Sequence, residues 1–135
     1  MISSRQYRAS LDEMHVLKAQ ELVEKVSGGL LGEASKSQVA KAARLAETCG
    51  SIIVFSQWMR YQAGRGQRFW SARIGNRMLV DEITAYSQCI KSQVDIALGD
   101  STEEEQAKAV MVELARFLGF LRRAIVAQSV GGGQA

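Results

Sequence analysis

The residues best suited to chemistry are five arginines in a stretch of the chain that contains no acid. Between Glu47 and Asp81 there is neither Asp nor Glu, and there is no lysine. A guanidinium group is planar, permanently charged and able to donate parallel hydrogen bonds, which suits it to phosphate oxygens. We call residues 48–80 the acid-free segment. Its arginines are Arg60, Arg65, Arg68, Arg73 and Arg77.

Aromatic residues are interleaved with these arginines: Tyr61 follows Arg60, and Phe69 and Trp70 follow Arg68. Bases of single-stranded RNA stack on aromatic rings and on guanidinium planes, so this pattern favours a polyanion-binding surface, for RNA before DNA. A second explanation stays open, in which the arginines form a solvated helix end whose charge only keeps the protein soluble.

Trp70 is the aromatic residue for which the sequence predicts exposure. On a continuous helix of about 100° per residue, Trp70, Arg73 and Arg77 point away from the apolar row that follows them. An exposed tryptophan between arginines is a stacking platform for bases. The alternative is that Trp70 covers the end of a helix bundle.

Residue types for catalysis or metal binding are scarce. His15 is the only histidine, and no nucleophile has a base at usable spacing. The acids at 103–105 suit a helix start and lack partner ligands, so the sequence predicts no catalytic residue, no metal and no cofactor.

Cys49 and Cys89 fall in apolar helical patterns without CxxC spacing, which predicts buried free thiols in a reducing cytoplasm.

Composition predicts one helical domain. The chain has 135 residues and no proline, and it is rich in helix-forming residues. Its net charge is +3, but residues 36–80 carry eight basic residues against one acid, and the remainder is net negative. No apolar run approaches the ~18 residues needed to span a bilayer, and the start lacks a signal-peptide core. We therefore expect a cytoplasmic protein with no membrane association.

Hydrophobic periodicity and glycine-containing stops predict an all-α fold, a compact four-helix bundle in a single domain. The expected helices cover roughly residues 4–26, 36–62, 68–98 and 102–129, with a loop over 27–37 and a flexible tail over 130–135. Ser101 and Glu104 fit a capping box at the last helix start. The third and fourth helices have clear core rows: Leu79, Ile83, Tyr86, Ile90, Val94 and Ala97, and Val110, Leu114, Phe117, Leu121 and Ile125.

The second predicted helix has two faces of interest. Lys41 and Arg44 lie on a polar stripe with spacing of three and four residues, which extends the basic surface. Between Ile52 and Met59 apolar residues point in all directions, so this part is either the centre of the bundle or an interface with another chain. The interface would centre on Phe55, Trp58 and Met59.

Several short motifs resemble, in order and spacing, the small helical subunit of type III CRISPR interference complexes. They are SQVAK at 37–41, YQAGR at 61–65, LARF at 114–117 and AIVA at 124–127, followed by a glycine run. The corresponding family patterns are a TxSQxRK helix start, a YxxGR helix end and a final helix of the form F…F…EAIVAY…GG. The resemblance covers residues 35–133.

The resemblance implies a non-catalytic RNA-binding subunit that stacks in several copies into a filament. Such subunits contact the backbone of guide RNA and target RNA, the backbone-forming subunits and the large signalling subunit. Lys41 and Arg65 match basic positions of the motifs. The chain departs from the pattern where Ala40 replaces a basic residue, Arg123 a carboxylate and Gln128 a tyrosine.

We rank four hypotheses for the function. The first is an RNA-complex subunit that reads shape and phosphate, with Lys41, Arg44, Trp70 and the five arginines as its RNA-binding residues. The second is a helical protein-interaction and oligomerisation module without a nucleic-acid role, whose arginines meet an acidic partner. A DNA-binding regulator ranks third, because the loop at 27–37 is too long for the tight turn of a helix-turn-helix. An enzyme ranks last.

Overall fold

The computed structural model describes residues 4–26 and 33–132. This part of the chain is compact and mostly helical, as predicted, but it has six helices and a two-stranded hairpin, and the four-helix arrangement is not observed. Of the predicted loop over 27–37, residues 27–32 are outside the described residues, and residues 33–37 are helical, which corrects the prediction. Tail residues 133–135 are also outside the described residues. The elements are α1 Ser4–Lys25, α2 Glu33–Thr48, α3 Ile52–Gly64, α4 Arg68–Ser71, β1 Arg73–Ile74, β2 Arg77–Met78, α5 Leu79–Ala97 and α6 Glu103–Gly132.

Helix α6 is the centre of the fold, and α1, α2 and α5 pack against it. The predicted core row of α6 is buried at all five positions, from Val110 to Ile125. The predicted row of α5 is buried from Leu79 to Val94, and only Ala97 is exposed. The 3.6-residue periodicity therefore identified the core faces of both helices correctly.

The second predicted helix is broken at residues 49–51. Ser51 has extended backbone angles, and its Oγ accepts a hydrogen bond from the Val54 amide at 3.2 Å, which caps the start of α3. A continuous helix to residue 62 was wrong because Gly50 and Ser51 act as a helix stop and a new N-cap. Helix α3 then runs to Gly64.

The third predicted helix is also broken. Only residues 68–71 form a helical turn at its start, and β1 pairs with β2 through Arg73–Met78 and Ile74–Arg77. The two-residue turn between the strands has Gly75 at φ +64°, a conformation that glycine adopts without strain. Helix α5 begins only at Leu79, with the Met78 amide 3.4 Å from the Asp81 carboxylate.

The boundaries of α6 and α2 also differ from the expectation. The Glu105 amide donates to Thr102 Oγ1 at 3.1 Å, so the cap of α6 is Thr102 and not Ser101. Helix α6 continues to Gly132, beyond the predicted start of the tail at residue 130, and α2 begins three residues early, at Glu33.

The two cysteines are free, but they are not both buried. Cys49 is half-buried, and Cys89 is exposed. The prediction for Cys89 was wrong because it precedes the core residue Ile90 by one position, which turns its side chain about 100° away from the core row. Among the helices in the described ranges, none has the length and apolarity that a bilayer crossing requires.

Candidate nucleic-acid interface

The five arginines of the acid-free segment are all exposed: Arg60 lies in the last turns of α3, and the other four lie on the connection from α3 to α5. Arg65 follows the last residue of α3, and its backbone N–H donates to Tyr61 O at 2.9 Å. Its guanidinium lies 5.6 Å from the centroid of the exposed Tyr61 ring. The helix end thus presents a cation and an aromatic ring together at the surface.

The hairpin holds two more of these arginines. Arg73 is on β1, and its Nη1 donates to Asn76 O in the turn at 3.2 Å. Arg77 is on β2, directly opposite Ile74, which is buried. Because Ile74 anchors one face of the short hairpin in the core, the arginines are carried on a fixed piece of backbone and not on a long loop.

Arg60 and Arg77 are paired with the first turn of α5. Arg60 Nη2 lies 3.0 Å from Asp81 Oδ1, and Arg77 Nη1 lies 3.6 Å from Glu82 Oε1. Arg77 Nη2 also donates to the Asp81 backbone carbonyl at 3.1 Å. Two of the five arginines therefore have carboxylate partners within the chain. We call Arg60 and Arg77 the paired set.

The other three arginines have no carboxylate within 4.0 Å among the described residues. We call Arg65, Arg68 and Arg73 the unpaired set. Arg68 is on the exposed side of α4, and its neighbour Phe69 is buried. Exposed cations without an internal counter-charge attract a polyanion most strongly, because no existing ion pair has to be broken.

Lys41 and Arg44 are exposed on α2, as predicted, but the structure joins them to the acid-free segment only indirectly. The contact between α2 and α4 runs through Gln38, one helical turn before Lys41. Its Oε1 accepts the Trp70 indole N–H at 2.9 Å.

Trp70 is not an exposed stacking platform. Its relative exposure is 0%, and its ring packs edge-on against Trp58 and Phe69 at centroid distances of 5.7 and 4.9 Å. The prediction was wrong because it assumed one continuous helix from residue 68. Because the hairpin interrupts the helix between α4 and α5, the direction of the Trp70 side chain cannot be counted at 100° per residue from the core row of α5. In the structure this side chain points inward.

The apolar surface predicted around Phe55, Trp58 and Met59 is also corrected. Phe55 and Met59 are fully buried, and Trp58 is half-buried. The exposed apolar residues of α3 are Ile53, at 79% exposure, with Val54 and Tyr61. They lie on the outer side of the helix.

A polar cluster that the sequence reading missed lies inside the fold. His15 is fully buried, with Nδ1 2.6 Å from Tyr86 Oη and Nε2 3.1 Å from Glu113 Oε1. Burial raises the pKa of the Tyr86 hydroxyl, which keeps it protonated. Because Tyr86 keeps its proton, its hydroxyl can donate to His15 Nδ1, and the Nε2–H of that tautomer donates to Glu113 Oε1.

Arg116 connects this cluster to the surface of α1. Its Nε donates to Asp12 Oδ1 at 3.2 Å and lies 3.8 Å from Glu113 Oε1. Helices α1, α5 and α6 are therefore tied together by polar contacts as well as by apolar packing, and His15 has a structural place in the core. Within the described ranges, no three His, Cys, Asp or Glu side chains lie together in a way that could hold a metal ion.

Comparison with known proteins gives no match: no family model, no curated protein and no solved structure matches the sequence.

Proposed function

We propose that the chain is a non-catalytic RNA-binding subunit of a type III CRISPR effector complex, which contacts the backbone of guide RNA and target RNA and repeats along a filament. The observation that carries the proposal is the unpaired set. Arg65, Arg68 and Arg73 are exposed on the α3–α5 connection and have no carboxylate partner in the described part of the chain.

The contacts would be to phosphate and ribose and not to base edges. Arg65 directly follows the end of α3, Arg68 is the first residue of the short helix α4, and Arg73 is on strand β1 of the hairpin. None of them lies on a long helix that could enter a groove. The Arg65–Tyr61 pair replaces Trp70 as the site where a base can stack. Lys41 and Arg44 on α2 would contribute charge at longer range.

Binding by one copy would be weak, because only about three phosphates are contacted without competition from internal carboxylates. For single strands, log K falls with log salt by about 0.7 per phosphate contact. Copies repeated along one RNA would sum such contacts through effective concentration. A filament of weak subunits therefore fits a small basic surface of this kind.

The second motif fits the resemblance, whereas the first, which the family pattern places at a helix start, lies inside α2, because α2 begins at Glu33. The second motif was expected at a helix end, and α3 ends at Gly64 with Arg65 following it. In the first motif, Gln38 is buried and bonded to Trp70, which gives it a structural role and leaves Lys41 exposed beside it. The first motif thus combines a packing residue with a basic one.

The proposal is tested by binding of the purified chain to a fluorescent single-stranded RNA, measured by anisotropy at low and high salt. We expect weak binding that falls steeply with salt, and loss of binding in Arg65→Glu/Arg73→Glu. The matched control is Arg122→Glu/Arg123→Glu, which changes the net charge equally on the exposed side of α6. An affinity that is independent of salt, or equal in the two double variants, would refute the proposal.

A second candidate function, a helical protein-interaction module, is favoured by one observation. Ile53, Val54 and Tyr61 form an exposed apolar patch on α3, and such patches mark interfaces more often than scattered apolar residues do. Under this alternative, Ile53→Ser/Val54→Ser would abolish capture of the partner protein and leave RNA binding unchanged. Charge reversal at Arg65 and Arg73 would then also reduce partner binding while RNA retention stayed normal.

A further inference from the structure

An open groove lies between α1 and α6, away from the arginines of the acid-free segment. Its volume is about 630 Å³, which is within the usual range for ligand-binding clefts, and it is lined only by residues of these two helices. Val23 is buried at its floor, and Phe120 is half-buried. The two helices run in the same direction, since Asp12 meets Arg116 while Val23 lies near Ile125.

The spacing of the lining residues indicates what shape the groove fits. On each wall the residues follow one another at intervals of four and three, which is one face of a helix over two turns. Ala124 and Ala127 are small and allow close approach of a further backbone. Two parallel helical stripes with a gap between them are the surface against which a third helix packs. The stripes are Val16, Gln20 and Val23, and Phe120, Ala124 and Ala127.

The two walls carry opposite charges. On the α6 wall, the Arg123 guanidinium lies 5.2 Å from the Phe120 ring centroid, and no described carboxylate lies within ion-pair distance of it. On the α1 wall, Glu24 is exposed and has no cationic partner among the described residues. The adjacent Lys25 is already paired with Glu21 at 2.8 Å.

We propose that this groove binds an amphipathic helix of a partner protein. The partner helix has an apolar stripe that enters the groove, an acidic residue on the flank facing Arg123 and a basic residue on the flank facing Glu24. Apolar contact supplies the affinity, and the opposite charges of the walls select the partner. The site uses none of the RNA-binding residues, so it stands or falls independently of the proposed function.

The test uses the full chain and two synthetic helical peptides of about fifteen residues, long enough for partial helix formation. Both peptides carry leucines at i, i+3, i+4 and i+7. The first has Glu on one flank and Lys on the other, and the second has Lys on both flanks. By titration calorimetry we expect the wild type to bind the first peptide about threefold more tightly, and Arg123→Glu to reverse this preference.

Ala127→Phe fills the groove and should lower the affinity for the first peptide about tenfold. The matched control is Ala107→Phe, which places the same side chain at an exposed position of α6 outside the groove. Both positions are exposed, so folding should survive, and circular dichroism checks it.

Three results would overturn the proposal: no saturable binding of either peptide, equal losses for the two phenylalanine variants, or a peptide preference that Arg123→Glu leaves unchanged. Sedimentation of the chain alone provides a further check. Self-association that Ala127→Phe abolishes would assign the groove to a second copy of this chain and overturn the proposal of a different partner.

Discussion

The paired and unpaired sets of arginines lie within one short stretch of chain but differ in what surrounds them. Arg60 and Arg77 reach the carboxylates of Asp81 and Glu82 at 3.0 and 3.6 Å. The unpaired set has no such neighbour among the described residues. The difference arises because the hairpin returns the chain beside α3, which places the first turn of α5 next to Arg60.

An acid-free stretch of sequence is not an acid-free surface. Asp81 and Glu82 come directly after the segment, and they serve the start of α5 as well as the arginines. The ion pairs of Arg60 and Arg77 are exposed, and pairs of that kind contribute at most about 1 kcal/mol. We therefore expect these ion pairs to reduce polyanion binding by the paired set but not to prevent it.

The largest expected effect is a loss of stability in Trp70→Phe, without the loss of RNA affinity that we expect for the arginine variants. Trp70→Phe leaves Gln38 without its indole donor and creates a small cavity, and we expect a loss of about 2–3 kcal/mol in the free energy of unfolding. RNA affinity of the folded fraction should not change, because Trp70 is fully buried. Urea unfolding and RNA anisotropy measure the two quantities.

The control for this variant is Trp58→Phe, since Trp58 is only half-buried. It should cost less stability than Trp70→Phe. A large drop in RNA affinity for Trp70→Phe at full folding would mean that the indole takes part in binding after all, and that the arginine comparison omits a contact.

A smaller effect is expected for Arg116→Gln, which tests an arginine paired inside the fold. Arg116 contacts Asp12 and lies close to the buried Glu113. Its replacement therefore removes a positive charge that stabilises the two carboxylates. We expect about 1–2 kcal/mol lower stability by urea unfolding. Arg122→Gln, exposed on the same helix, should be nearly neutral, and equal costs for the two variants would contradict the pairing argument.

The smallest effect comes from removing the carboxylate partner of one member of the paired set, Arg60, while Arg77 keeps Glu82. Asp81→Asn removes the partner of Arg60 and weakens the start of α5, which should lower stability by about 1 kcal/mol. RNA affinity should rise about twofold to fivefold at low salt, because Arg60 is released.

The control for Asp81→Asn is Asp95→Asn, which makes the same change of net charge farther along α5, where Asp95 pairs with Lys91. If both variants raised RNA affinity equally, net charge alone would explain the gain, and the local pairing of Arg60 would have no role.

The sequence predicted the helical class and the core faces of α5 and α6, because apolar periodicity over many turns leaves little ambiguity. It failed at short interruptions. Gly50–Ser51 and the Gly75 turn each redirect the chain with one or two residues. Apolar periodicity is assessed over many residues, so such short breaks do not change it noticeably. Glycine followed by Asn between Ile74 and Arg77 was the available signal for the hairpin.

For the candidate site, the sequence identified the basic residues but not their partners. Exposure of the five arginines followed from composition, whereas the inward turn of Trp70 depended on the hairpin. The His15–Glu113 contact joins residues 98 positions apart, and such pairs become visible only when helices are packed. The resemblance to a CRISPR small subunit remains a prediction.

The most direct test of RNA binding by the unpaired set compares two double variants that remove equal charge. They are Arg65→Gln/Arg68→Gln from the unpaired set and Arg60→Gln/Arg77→Gln from the paired set. The measurement is the slope of log affinity for single-stranded RNA against log salt. We expect the slope to fall in magnitude by about 1.4 for the first variant and by much less for the second. Equal slopes for the two variants, or a wild type without salt dependence, would show that the unpaired set is not the main RNA contact.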